Sequence, residues 1–403
     1  MIPLDDILDS LDLSRAQPGS GFLEALFTRF NARVPFENAS KIVRDADVAD
    51  PAGKPRTPDV FWADHLASGA GGTCFARVAA FGALLEELGF RTCRVLGRVL
   101  NPGDHAALLV ETRDGETIAD VGFPLSALLP ARAGLVETPL CDVRVAATAL
   151  GFALAFEGGV PDGPRSLEIF RASVSESDYL ECWRGTFQRP SRFLQEVSLR
   201  VDRGNRVLAF ARGEARVDDL HSRLRVPLSV PHAAALAPLF GVDEELLARA
   251  FEIAGDPAPG SPDTTLTAYL ETAVTAADAF SAIATSEGYR RLLAGVAEVS
   301  AAEETGSGFR LTLSSGAEPS ATLQEEVSPD PSTQRLAVTR RAGGAEHRSS
   351  YRAEEREEKT YLVREATLAG VREDLLRNDS LRGRLAGTLA VDLLAWGRML
   401  NPA

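Results

Sequence analysis

The sequence predicts an α+β protein built from several domains, and three observations carry that prediction. Helical periodicity dominates the first 92 or so residues, short apolar segments of strand character follow from residue 93, and strands again precede one long amphipathic helix after a proline-rich break at 255–265. In the first region, FLEALFTRF sets Phe22, Leu23, Leu26, Phe27 and Phe30 on one face, and Pro35 stops that helix. FARVAAFGALLEELGF repeats the pattern with Val78, Phe81, Leu84, Leu85 and Leu88, and Gly89 is its expected C-cap.

The strand-like segments begin with CRVLGRVL, HAALLVET and ETIADVGF, the last two joined by an Arg113-Asp114-Gly115 turn. RVAATALGFALAF, FLQEVSLRV, RVLAFARGEARV and RLRVPLSV continue the series, and PHAAALAPLFGVDEELLARAFEIAG reads as one or two short helices. Pro257, Pro259 and Pro262 mark the linker. The expected organisation is a helical bundle (1–92), a β-barrel (93–200), a lid subdomain (201–254), the linker (255–265) and a last domain (266–403).

The formal net charge of −14 argues against nucleic acid or an anionic membrane as a partner, while leaving room for a local basic pocket. Four cysteines without metal-type spacing fit a reducing compartment. The acidic start, MIPLDDILDSLDLS, lacks the form of a signal peptide, and no apolar run approaches a membrane span, so a cytoplasmic chain is expected. The five histidines form no pair at metal spacing, and neither a Rossmann nor a P-loop motif occurs, so no metal and no bound cofactor is expected.

The chemistry concentrates in one stretch. Cys74 follows Gly71-Gly72-Thr73 and directly precedes an amphipathic helix. Unpaired backbone N–H groups and the positive end of the helix dipole favour a thiolate there, and the same N–H groups suit an oxyanion. The glycines allow close approach of a substrate. His105 opens the next strand but one, and Asp120 closes its hairpin partner, which brings imidazole and carboxylate side by side. Nucleophile, base and orienting acid are then all present. Each residue alone has a plainer role, as small core filler, capping group or turn residue. Their order is what points to catalysis.

These motifs resemble the arylamine N-acetyltransferases, whose pattern runs Arg-Gly-Gly-x-Cys-x-Glu, a His-led strand, then Asp-Val-Gly-Phe. Val34-Pro35-Phe36-Glu37-Asn38 is similar to the family's Pro-Phe-Glu-Asn box, and PSRFLQEVSLRVDRGNRVLAFARGEARV is similar to its Ser-Arg-Phe segment and following hairpin. The resemblance covers about residues 1–255. It implies an arylamine N-acetyltransferase-like fold of helical bundle, β-barrel and α/β lid. It also implies catalytic roles for Cys74, His105 and Asp120, and a substrate site bordered by Phe36, Glu37, Gly72, Thr73 and Phe123.

Several positions depart from the pattern. Ala70 stands for the family's Arg and Ala76 for its Glu, Phe27 and Phe30 replace histidines before the box, and Pro124 replaces a glycine. Glu37 thereby loses the expected cation, for which Arg77 and Arg91 are candidate replacements.

Residues 266–403 resemble a START-like, helix-grip domain: short helices (AADAFSAIATSEGYRRLL), a run of strands, and a closing helix whose Leu381, Leu385, Leu389, Leu393 and Trp396 form a stripe. Such a domain implies an apolar ligand. The stripe equally suits a filled core. Glu354, Glu355, Glu357 and Glu358, with Arg356 and Lys359, read as a solvated edge or turn.

The function these residues predict is a cysteine-dependent acyltransferase. It takes an acyl group from acyl-CoA or an acyl carrier protein through acyl-Cys74 to an amine, with amide synthesis in natural-product chemistry as a specialised form. A transglutaminase-like amidase or thioesterase uses the same three residues with water. A non-catalytic ligand-binding protein is the third alternative.

Overall fold

The computed structural model describes residues 2–400 apart from 124, 126, 159–165, 189, 295–296, 315–321, 343–344, 357–358 and 371, so Pro124, Glu357 and Glu358 lie outside the described residues. Two units divide the chain: Met1–Leu220 with Leu228–Gly260, and His221–Pro227 with Ser261–Ala403. The stretch 201–254, expected as one lid, is thus shared between them.

The first unit begins with helices Leu4–Ser10, Ser20–Arg33, Ala39–Asp47, Pro58–Ser68 and Cys74–Glu87. Ser20–Arg33 ends at an extended Val34, as the following Pro35 requires. Pro58–Ser68 starts with proline in its first turn and stops at left-handed Gly69. The last of the five stops at Leu88, one residue before Gly89, whose φ of 86° turns the chain out. Phe30 touches Trp62 and Phe81, and Phe27 touches Phe81. Both phenylalanines that replace family histidines are therefore fully buried core.

Eight antiparallel strands follow. Their spatial order is Leu129–Pro130, Gly115–Ala119, Pro102–Thr112, Arg91–Arg98, Ser166–Ser173, Gly151–Glu157, Asp142–Ala147 and Gly134–Glu137. The two edge strands are neighbours in the chain, which makes a near-barrel. RVAATALGFALAF is two strands rather than one, because the chain reverses between Ala147 and Gly151, where Thr148 N–H donates to the Gly151 carbonyl. The Ser166–Ser173 strand and the Glu176–Gly185 helix escaped the sequence pattern. The helix is capped by Ser175, and only Tyr179 and Trp183 are buried on it, too few to stand out as a periodic stripe.

FLQEVSLRV is also not one strand. A 3-10 turn at Arg192–Leu194 precedes the strand Leu199–Asp202, and the Asn38 side chain explains why. Its Nδ2 donates to the carbonyls of Phe193 and Glu196, and its Oδ1 accepts from Ser198 N–H. Strands Leu199–Asp202, Arg206–Ala211 and Glu214–Asp219 form an antiparallel ladder with the two-residue strand Phe36–Glu37. Helices Ala233–Phe240 and Glu244–Ala254 complete this unit, with Phe251 and His232 against Phe210.

In the second unit, strands Ser222–Pro227 and Thr264–Thr272 pair with each other, and Thr264–Thr272 pairs with Lys359–Leu368. Four more paired strands reach Glu298–Thr305 at the far edge. Thr264–Thr272 starts within the expected linker 255–265 and is a strand. Helices Ala276–Ser281 and Ser286–Leu293 follow it, and the closing helix is Asp379–Leu400. On that helix Leu389, Leu393 and Trp396 are buried, whereas Leu381 and Leu385 are half-buried. Among the described residues no helix is long and apolar enough to cross a membrane.

Candidate active site

The Gly-Gly turn and the Pro-Phe-Glu-Asn box meet through the backbone. Phe36 and Gly72 form a parallel bridge, with Glu37 N–H donating to the Gly72 carbonyl at 3.2 Å. A Cβ at Gly71 would lie 1.8 Å from the Pro35 carbonyl oxygen, so no other residue fits. Thr73 then takes an extended conformation as N-cap without a side-chain cap, and Cys74 is the first residue of the helix. The first-turn N–H groups thus face the thiol's surroundings rather than a capping side chain.

His105 lies on Pro102–Thr112, opposite Gly97 of Arg91–Arg98. A Cβ at Gly97 would stand 3.1 Å from the imidazole, so this glycine makes room for the ring. The loop before His105 is held by Asp104, whose carboxylate accepts from the N–H groups of Val99, Leu100 and Asn101 at 2.8–2.9 Å. The Asp104 carbonyl is 3.9 Å from Cys74 Sγ. Pairing of Leu108 with Ala119 carries Asp120 alongside.

His105 Nε2 donates to Asp120 Oδ2 at 2.7 Å, and both residues are buried. Asp120 Oδ1 accepts from Gly122 and Phe123 N–H at 2.9 and 2.7 Å, which fixes the carboxylate. Cys74 interacts with the imidazole from the start of its helix, and its Sγ lies 3.9 Å from the carbonyl of the neighbouring Asp104. Burial acts to lower the His105 pKa, but the charge and hydrogen bond of Asp120 and the contact with Cys74 outweigh it and push it up to about 10. The Asp120 carboxylate thus favours the protonated form of the ring. A Cβ at Gly122 would be 2.6 Å from that of Cys74, so the Asp-Val-Gly-Phe loop closes directly over the nucleophile.

The chain matches known proteins in the same region. Residues 21–138 match the N-acetyltransferase family. The arylamine N-acetyltransferase of Escherichia coli is 33% identical over 109 residues, and that of Mycolicibacterium smegmatis 32% over 120, or 25% and 27% of this chain. These stretches span 36% and 42% of the two relatives' own length. Both relatives are N-acetyltransferases. Among solved structures, the Mycobacterium tuberculosis arylamine N-acetyltransferase is 22% identical with a TM-score of 0.55, covering 62% of this chain and 100% of that one. The Mycobacterium marinum enzyme in complex with CoA is 20% identical with a TM-score of 0.53, covering 62% and 99%. An arylamine N-acetyltransferase-like fold is therefore present.

Around these three residues, two buried arginines hold the neighbouring backbone. Arg77, fully buried and three positions after Cys74, donates through Nε to the Val121 carbonyl at 2.6 Å, through Nη1 to the Val34 carbonyl and through Nη2 to Asn31 Oδ1 at 2.7 Å. Burial pulls its pKa down to about 9, with Glu37 the largest opposing charge. Arg56 donates to the Gly71 carbonyl and pairs with Asp64 at 3.1 Å. Arg91 takes no part: it is exposed and pairs with Glu111.

Glu37 itself is fully buried, and its two oxygens accept from the Ser40 hydroxyl and N–H. Expected to border the substrate, it instead holds the start of the Ala39–Asp47 helix, because no face of it reaches solvent. Phe36 and Phe123 are half-buried. Phe36 lies against Phe193, and Phe123 lies edge-on to His105 and stacked on Phe156. Gly72 and Thr73 are buried in the turn before Cys74. Sequence reasoning missed Tyr179, whose hydroxyl donates to the Phe75 carbonyl at 2.7 Å, and Lys41, a buried cation in electrostatic reach of Cys74. Lys41 stands three positions after the Val34–Asn38 box, and that proximity was its only signal.

Proposed function

We propose that the chain is a ping-pong acyltransferase with Cys74 as nucleophile, His105 as proton carrier and Asp120 as the group that orients it. The observation that carries this is the buried His105–Asp120 pair at 2.7 Å, with the Cys74 thiol beside the residue that precedes His105 and in electrostatic contact with the imidazole. The thiolate attacks the carbonyl carbon of an acyl thioester, and N–H groups of the first helical turn receive the oxyanion. The donor's C–S bond breaks and its thiolate takes the proton from His105. An amine then attacks acyl-Cys74, His105 accepts the amine's proton, and the Cys74 thiolate leaves. Phe36, Phe123, Gly72 and Thr73 border the reacting groups, the two rings offering an apolar wall to an aromatic or acyl substituent.

The donor is acyl-CoA, as the similarity to a CoA-bound relative supports. A carrier-borne acyl chain and amide synthesis are the specialised form of the same chemistry. The second unit is proposed as a helix-grip domain, supported by its eight antiparallel strands and closing helix. Trp396, Tyr351 and Tyr289 are in ring contact between them, and Arg364 pairs with Asp392 at 3.1 Å, so the interior there is occupied and the proposal for this unit stops at its fold.

Intact-mass spectrometry after brief incubation with acyl-CoA thioesters tests the proposal. An acyl adduct on wild type, absent from Cys74→Ala and discharged by amines, is expected. Donor consumed without an acceptor would establish a hydrolase instead, and no adduct with any thioester would end the acyltransferase reading.

A further inference from the structure

Beside the start of the Cys74–Glu87 helix lies a small cavity ringed by cations. Lys41, Arg44, Lys54 and Arg56 line it together with Thr73 and Ala76, and its volume of about 10 Å³ suits one water-sized group. Two of these cations have carboxylate partners: Lys54 with Asp45 at 2.5 Å and Arg56 with Asp64 at 3.1 Å. The other two give their hydrogen bonds to neutral groups. Lys41 Nζ donates to Thr186 Oγ1 at 2.7 Å and lies 4.6 Å above the Phe187 ring. Arg44 donates to the carbonyls of Lys54 and Gly53 at 2.7 and 2.6 Å.

Lys41 is only 5% exposed, and a buried ammonium is costly without an anion. Burial lowers its pKa to about 8, against the opposing charges of Cys74 and Asp45. At Ala76 the wall is a methyl group, at the position where the acetyltransferase pattern carries a carboxylate. The ring therefore has an excess of positive charge and an opening the size of a single oxygen-bearing group.

We propose that this cavity receives one oxygen of a small anion, a carboxylate or a phosphate, through Lys41 and Arg44, with Lys54 and Arg56 supplying the surrounding field. The site stands whether or not Cys74 transfers acyl groups. Thr73 and Ala76 flank the nucleophile, so an anion here offsets positive charge beside Cys74.

Thermal unfolding of the full chain in acetate or inorganic phosphate at constant ionic strength tests the site, with wild type, Lys41→Met, Arg44→Gln and Ala76→Glu compared. Wild type is expected to show a saturable rise in Tm of a few degrees. Lys41→Met and Arg44→Gln should need at least roughly tenfold more anion, as loss of a charge-assisted hydrogen bond implies. Ala76→Glu supplies a tethered carboxylate and should lose the response altogether. A response to phosphate that coenzyme A reproduces only with Lys41 intact assigns the anion to the donor, and a response confined to acetate assigns it to a substrate carboxylate. Equal rises in wild type and all three variants, or no rise in wild type, would overturn the site. Should Lys41→Met fail to fold, Arg44→Gln and Ala76→Glu decide the matter.

Discussion

Arg77 Nε lies 2.6 Å from the carbonyl oxygen of Val121, so a residue of the nucleophile's own helix grips the loop that carries Asp120. The same guanidinium holds the Val34 carbonyl at the entrance to the Pro-Phe-Glu-Asn box. One buried cation thus ties together the three motifs that surround Cys74.

Replacing Arg77 with Met should therefore destabilise the protein by about 3–5 kcal/mol, because two buried carbonyls and the Asn31 amide oxygen lose their donor. Arg77→Lys should recover only part of the loss, since an ammonium cannot reproduce the forked geometry. Urea unfolding of the three proteins measures this. A loss below ~1 kcal/mol for Arg77→Met would deny the residue its tying role.

Asp120→Asn should keep the fold, since Oδ1 can still accept from Gly122 and Phe123. It removes the charge that holds the imidazolium, and a drop of roughly 10³–10⁴-fold in acyl transfer is expected, the scale seen when an orienting carboxylate is neutralised. Acylation rates read by stopped-flow with an acyl-CoA check it. A near-unchanged rate would show that Asp120 only braces the loop.

The raised His105 pKa also makes a prediction about stability. The folded-state value, about 10, lies above the unfolded value of roughly 6.5, so the stabilisation is complete below pH ~6.5 and is lost as the pH rises through 10. In Cys74→Ala, which keeps the Asp120 partner, Tm should fall across that window, and fall less when Asp120→Asn is added. Parallel pH profiles for the two variants would contradict the assignment of the shift to Asp120.

Gly122→Ala should displace the nucleophile, because the new methyl would sit 2.6 Å from Cys74 Cβ and 2.9 Å from the Ala106 carbonyl oxygen. Overpacking of this kind costs about 1–3 kcal/mol. Calorimetry and the rate of iodoacetamide labelling should both change. Wild-type behaviour in both would mean that the loop yields freely.

Much of the site was legible because it depends on short-range order. A cysteine preceded by glycines and followed by a helix, a histidine opening a strand and an aspartate closing the next one are local patterns, and hairpin pairing alone puts the last two together. The linker prolines and the long closing helix were visible for the same reason. What the sequence hid depends on contacts between distant segments. The Glu176–Gly185 helix buries only two residues, and the turn at Arg192–Leu194 exists because Asn38, about 155 positions away, takes its carbonyls. Nor does any local pattern reveal that Arg77 reaches the carbonyls of both Val34 and Val121, more than forty positions away on either side. Backbone periodicity is written along the chain, but satisfaction of buried charge is settled by whichever groups the fold brings near, and only the tertiary structure decides which those are.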